Sequence, residues 1–77
     1  MITVYFFGRV SDLVGKRHLE IDAGPPAMLF ALRDQIFDGI DVSKTPVRMS
    51  VNKVVVREDI LLNDGDEVAF FSVFSGG

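Results

Sequence analysis

The sequence predicts an α+β fold, a mixed sheet with one main helix packed across one face. Short β-branched and aromatic runs recur towards both ends of the chain. One central segment alone carries apolar residues at helical spacing over several turns. Clusters of Gly, Pro, Asn and Asp punctuate the rest. With 77 residues there is room for one domain, residues 1–77. So small a core leaves a net stability of roughly 3–5 kcal/mol.

Thr3 to Phe7 reads as the first strand, with Val4 and Phe6 on one face, and Gly8 ends it. Arg9 to Val14 forms a turn of helix closed by Gly15. From Lys16 to Asp22, apolar Leu19 and Ile21 alternate with polar His18 and Glu20, as in the second strand of a hairpin. Ala23-Gly24-Pro25-Pro26 breaks that strand, and the prolines suit the first turn of a helix, where their missing N–H is not needed. The helix is expected from about Ala27 to Phe37, with Leu29, Leu32 and Ile36 on one stripe and Asp38-Gly39 as its stop. Met28 and Phe30 lie off that stripe and are assigned to helix packing.

Ile40 to Pro46 is a loop. Val47–Val51 and Val54–Val56 flank Asn52-Lys53, a tight turn between short strands. Asn63-Asp64-Gly65-Asp66 is a strong turn signal, Glu67 to Phe71 is the last strand, and residues 72–77 form an extended tail. The order β-β-α-β-β-β matches the β-grasp fold of ubiquitin-like proteins, in which a sheet buries the stripe of a single helix.

Composition narrows the function classes. The absence of cysteine excludes disulfides, zinc–thiolate sites and a cysteine-borne nucleophile or persulfide. A net charge of −3 argues against a nucleic-acid partner and suits a protein partner with a basic rim. No apolar run approaches the ~18 residues of a membrane-spanning helix. Met1-Ile2-Thr3-Val4 lacks the basic and apolar regions of a signal peptide, so a cytoplasmic protein is expected.

Conventional sites are nearly absent. His18 is the one histidine and has no second imidazole to share a metal or complete a triad. Asp64 and Asp66 flank Gly65, where turn chemistry accounts for them better than calcium, which needs more ligands at wider spacing. No metal site and no bound cofactor are expected.

The chain ends Ser75-Gly76-Gly77. Such an end can be a merely permissive terminus. It can also be a working group, because residues without a Cβ pass through a narrow channel and take whatever backbone angles an enzyme imposes. A carboxylate is a poor acyl donor until adenylated, after which a sulfide donor can convert it to a thiocarboxylate. Such a chain supplies the reacting group and its partner supplies the positioning.

Val4-Tyr5-Phe6-Phe7-Gly8, Leu13-Val14-Gly15, Ala31-Leu32-Arg33, Val51-Asn52, the run Asp64 to Phe71 and the terminal Gly76-Gly77 resemble the MoaD/ThiS family of sulfur carriers. Within it, they resemble the small subunits of molybdopterin synthase. The resemblance spans essentially the whole chain. It implies that the Gly77 carboxylate is adenylated, with ATP, by an enzyme similar to ubiquitin-activating enzymes, and that a sulfur donor protein then loads it. It further implies insertion of the tail into the synthase large subunit, which holds the catalytic side chains, and sulfur transfer to cyclic pyranopterin monophosphate within a heterotetramer. The chain is then a subunit of a sulfurtransferase and not an enzyme alone. Phe71, Ser72, Val73, Phe74, Ser75 and Gly76 are the expected partner contacts. Ser72 and Val73 stand where the family usually has prolines, which would stiffen the tail.

Three rivals stay open: a carrier for the thiazole of thiamine, a ubiquitin-like modifier joined to lysines through Gly77, and a non-catalytic interaction module. Phe70-Phe71 favours molybdopterin, since the thiamine carriers tend to end this strand with smaller aliphatics. Strand alternation sets Phe70 under the helix and Tyr5, Phe7 and Phe71 on the opposite face, where no helix is left to cover them. That face is an expected apolar docking patch.

Overall fold

In a computed structural model of the chain, the structure describes residues 1–22 and 27–72. Five strands form one mixed sheet: β1 (Ile2–Phe6), β2 (His18–Ile21), β4 (Val47–Val51), β5 (Val54–Val56) and β7 (Glu67–Ser72). Their order across the sheet is β2-β1-β7-β4-β5. β1 and β7 run parallel, and the other pairings are antiparallel. The helices are α1 (Gly8–Val14) and α2 (Leu29–Ile36). A two-stranded ribbon, β3 (Ala27–Met28) with β6 (Leu61–Leu62), completes the described elements.

One core holds these together. Ile2, Val4 and Phe6 of β1, Val68 and Phe70 of β7, and Met49 and Val51 of β4 meet Val10 of α1, Leu29 and Leu32 of α2, and Leu62 of β6. Phe70 is the largest fully buried side chain. Its ring stacks on Phe6 with centroids 5.9 Å apart and takes Phe37 edge-on at 5.3 Å. Both are favoured aromatic geometries.

The structure differs from the expected elements in three places. The segment expected to be one turn of helix is a seven-residue helix that buries Val10. Gly15 closes it at φ 84°, its N–H donating to the Ser11 carbonyl over 2.8 Å, a conformation that glycine takes without steric cost. The main helix begins at Leu29 and not at Ala27, because Ala27 and Met28 pair with Leu62 and Leu61. Pro25 and Pro26, assigned to its first turn, lie outside the described residues. No side chain of the segment itself caps α2. The loop before β6 does so from a distance: Leu29 N–H donates to the Ile60 carbonyl over 2.9 Å, and Phe30 N–H to Asp59 Oδ1 over 2.8 Å. Those orphan donors need acceptors wherever they lie in sequence. Met28, assigned to helix packing, is therefore an exposed strand residue, whereas Phe30 packs partly against the core. Finally, β7 runs through Ser72, which pairs with Val47, so the first residue of the expected tail belongs to the sheet.

The Asn52-Lys53 turn is as expected, with φ of 51° and 71° at its two residues. Asn52 also joins two distant turns. Its Nδ2 donates to Asp66 Oδ1 over 3.0 Å, and its Oδ1 accepts from Glu67 N–H over 3.0 Å. Asp66 Oδ2 in turn accepts from Asn63 N–H over 2.8 Å. Asparagine tolerates positive φ and bonds locally, so one residue serves both needs. Asn52→Ala is expected to cost about 1–2 kcal/mol in urea unfolding, from lost hydrogen bonds and left-handed strain together. Asn52→Gly should recover only the part due to strain.

Candidate functional site

The strand that leads to the tail lies at the centre of the sheet. β7 is hydrogen-bonded on one side to β1, with Thr3 level with Glu67 and Phe6 with Phe70. On the other side it pairs with β4, with Arg48 opposite Phe71 and Val47 opposite Ser72. A strand pinned on both sides has its direction set to its last paired residue. The five residues beyond Ser72 can reach at most about 17 Å when fully extended.

Of the residues assigned to the site from sequence, Phe71 and Ser72 are placed in β7. Val73, Phe74, Ser75, Gly76 and Gly77 lie outside the described residues. The parallel β1–β7 pairing brings the end of β7 level with Phe7, and Phe7 N–H donates to the Phe70 carbonyl over 3.1 Å. The first residues of α1 and the last residues of β1 therefore lie at the end of the sheet from which the tail departs.

Both helices bury their apolar residues against one side of the sheet, so the other side is open among the described residues. Across it run His18, Tyr5, Ala69, Ser50 and Val55, one from each strand in successive register. Tyr5 is 37% exposed and Phe7 54%, and their rings stack with centroids 6.3 Å apart. Phe71 shares this face and is half-buried. The expected placement of Tyr5, Phe7 and Phe71 opposite the helices is thus what the structure has. A groove of about 370 Å³ runs along the face, lined by Tyr5, Phe7, Ser50, Lys53, Glu67 and Ala69. His18 stands beside Tyr5 with ring centroids 6.4 Å apart.

The acidic turn has structural partners. Asp64 accepts the ammonium of Met1, whose hydrogen bond and charge hold its carboxyl below the ordinary range. Asp66 is engaged by Asn63 and Asn52 as described. Among the described residues, no group of three or more His, Cys, Asp or Glu side chains could hold a metal ion. The open face offers shape, aromatic surface and charge, which is equipment for docking.

Sequence reasoning missed one part of this face. The sequence reading gave Arg48 and Arg57 no role, yet Arg48 lies opposite Phe71 on the open side and Arg57 directly follows the end of β5. The signal was present in the alternation of β4, where Arg48 precedes buried Met49 and lies opposite Phe71.

Comparisons with known proteins agree on the kind of chain this is. Residues 4–77 match the model of the ThiS family. The molybdopterin synthase sulfur carrier subunit of Escherichia coli (strain K12) is 38% identical over 82 aligned positions, covering the whole of both chains. The crystal structure of SAMP1 from Haloferax volcanii has the same fold, with a TM-score of 0.73 over 99% of this chain and 98% of that one. At 18% identity that likeness concerns the fold alone.

If the open face is for docking, its aromatic residues carry little of the fold's own stability. Replacing Tyr5 and Phe7 together by serine should move the urea midpoint by less than the equivalent of about 1 kcal/mol, as expected for surface positions. Phe70→Ala should cost about 3–5 kcal/mol, enough to unfold a chain of this size.

Proposed function

The chain belongs to the ThiS family, and from that premise we propose that it is the sulfur carrier of a molybdopterin synthase. The observation that carries this reading is the full-length similarity to a relative of that name, 38% identical from end to end. The terminal Gly76-Gly77 agrees with it.

The reacting group in this reading is the carboxylate of Gly77. Adenylation joins one of its oxygens to the α-phosphorus of ATP and releases pyrophosphate. A sulfide supplied by a donor protein then attacks the carbonyl carbon and expels AMP, leaving a thiocarboxylate. Its sulfur is delivered to cyclic pyranopterin monophosphate to build the molybdopterin dithiolene, and hydrolysis returns the carboxylate. Without a cysteine the chain cannot carry the sulfur as a persulfide, and a C-terminal thiocarboxylate needs none.

The rest of the chain positions that group. A tail launched from the central strand enters a partner's channel only when the partner is seated against the sheet end around it. The open aromatic face supplies that seat, with Tyr5, Phe7 and Phe71 as anchors, Ser72 at the rim and Val73 to Gly76 following into the channel. The adenylating enzyme and the synthase large subunit both need access to Gly77, so they take turns on it. The two small subunits of the heterotetramer act independently at the two ends of a dimer of large ones. All of this takes place in the cytoplasm.

Ser72 and Val73 leave the tail without the stiffening of paired prolines, so ordering it costs more entropy on insertion. A carrier for the thiazole of thiamine would use the same carboxylate chemistry. Phe70-Phe71 favours the molybdopterin pathway of the two.

Incubation with ATP, a sulfide source and the adenylating enzyme of the same genome should raise the intact mass by the difference between one sulfur and one oxygen. Fragmentation should place the change on Gly77. Deletion of Gly77 should abolish the gain while leaving the unfolding midpoint unchanged. An unchanged wild-type mass in the presence of active enzyme would rule out the carrier chemistry.

A further inference from the structure

The open face is graded in charge along the strands. At the end remote from the tail it carries Glu20 of β2 and Glu67 of β7, both level with Thr3 of β1. The middle is the row through Tyr5, Ala69, Ser50 and Val55. At the tail end Phe71 lies opposite Arg48. The pairing of Met49 with Val56, carried one residue further, sets Arg57 level with Arg48 on the neighbouring strand. Both arginines are exposed, and Arg57 directly follows the last paired residue of β5, so the register brings the two to the same end of neighbouring strands, at the end of the sheet where β7 finishes.

Like charges directly opposite one another on a sheet are destabilising. Neither arginine has an ion-pair partner among the described residues, where the salt bridges are Met1 with Asp64 and Arg33 with Asp34. The chain as a whole is acidic, at −3. This corner therefore runs against both the local cost and the overall balance. An anionic group placed against the two guanidinium groups would reverse the cost, and a carboxylate matches their fork geometry. The arginines adjoin an apolar face of Tyr5, Phe7, Phe71 and Val55, which suits a protein surface and not a small ion.

We propose that Arg48 and Arg57 form a carboxylate-binding pair for the protein partner that receives the tail. That partner presents an acidic side chain beside the mouth of its tail channel, next to an apolar patch that covers Tyr5 and Phe7. The inference rests on the reading of the chain as a sulfur carrier and adds a specificity contact to it. Net charge alone points to a basic partner rim. Contact geometry at the tail root asks for the opposite sign there, with any basic partner group falling at the far end, against Glu20 and Glu67.

The test uses the large subunit of molybdopterin synthase from the same genome as probe and measures its affinity by titration calorimetry. Arg48→Glu/Arg57→Glu should weaken binding about 10- to 100-fold, as expected when close interfacial charge pairs become repulsive. Arg48→Lys/Arg57→Lys should retain most of the affinity. Reversing one acidic residue at the mouth of the large subunit's channel to lysine should restore binding to the Glu/Glu variant. Unfolding midpoints would confirm that both variants fold, since each replaces one exposed like-charge pair by another. Wild-type binding that the Glu/Glu variant keeps within twofold would overturn the contact and leave the proposed function standing. No binding by the wild type would overturn the proposed function and the contact together. A wild-type chain that dimerises by sedimentation, and loses that dimer on Arg48→Glu/Arg57→Glu, would assign the pair to a second copy's Glu20 and Glu67 and overturn the partner assignment.

Discussion

Everything in this structure depends on the placing of β7 between β1 and β4. Its Val68 and Phe70 are wholly buried and its Ala69 and Phe71 face the other way, so one strand serves both the core and the open face. Strand side chains alternate strictly, and a slip of one residue would exchange the two sets. Phe70 guards against that slip. Held between Phe6 and Phe37, its ring has a pocket in one register only. The packing that makes the fold stable is thus the same packing that sets where β7 ends and which face each of its side chains takes.

The parallel pairing of β1 with β7 adds a second consequence. Strands from opposite ends of the sequence finish at the same end of the sheet, so the end of β7 lies beside Phe7 and the start of α1. A long-range parallel pairing is entropically expensive to form, and the core residues it gathers must offset that. Asn52, Asp66 and Glu67 close the opposite end with hydrogen bonds, so the loops there are tied down.

Much of this was legible in the sequence. The alternation in Val4-Tyr5-Phe6-Phe7 and Val68 to Phe71 separates the core face from the open face, because sheet sidedness is a local property of period two. Gly15 and Asn52-Lys53 were readable for the same reason, since a left-handed cap or turn depends on residues adjacent in sequence. What escaped was non-local. The start of α2 is decided by Ile60 and Asp59, about thirty residues away, and the β3–β6 ribbon is decided by a pairing that two-residue strands cannot signal. The adjacency of Arg48 and Arg57 likewise exists only once β4 and β5 are zipped in register. Of the expected tail contacts, Phe71 and Ser72 have places in the fold, and those places follow from the register of β4 against β7.

A sheet with both helices on one side leaves a chain of this size with a choice about its other side. Covering it would take another layer, which the described residues do not supply, and making it wholly polar would remove its apolar surface. The sequence takes an intermediate course. Aromatic surface is kept to Tyr5, Phe7 and Phe71, and charged residues stand at either end of the face, which keeps the patch small enough for a free protein. The same charges bias which surfaces can cover it, because an apolar patch alone discriminates poorly between partners and unmatched charge at a contact is costly. In the proposed carrier role, where one group is handed from enzyme to enzyme, weak apolar attraction with charge-coded selection is a better design than tight binding, since each complex has to release the carrier to the next.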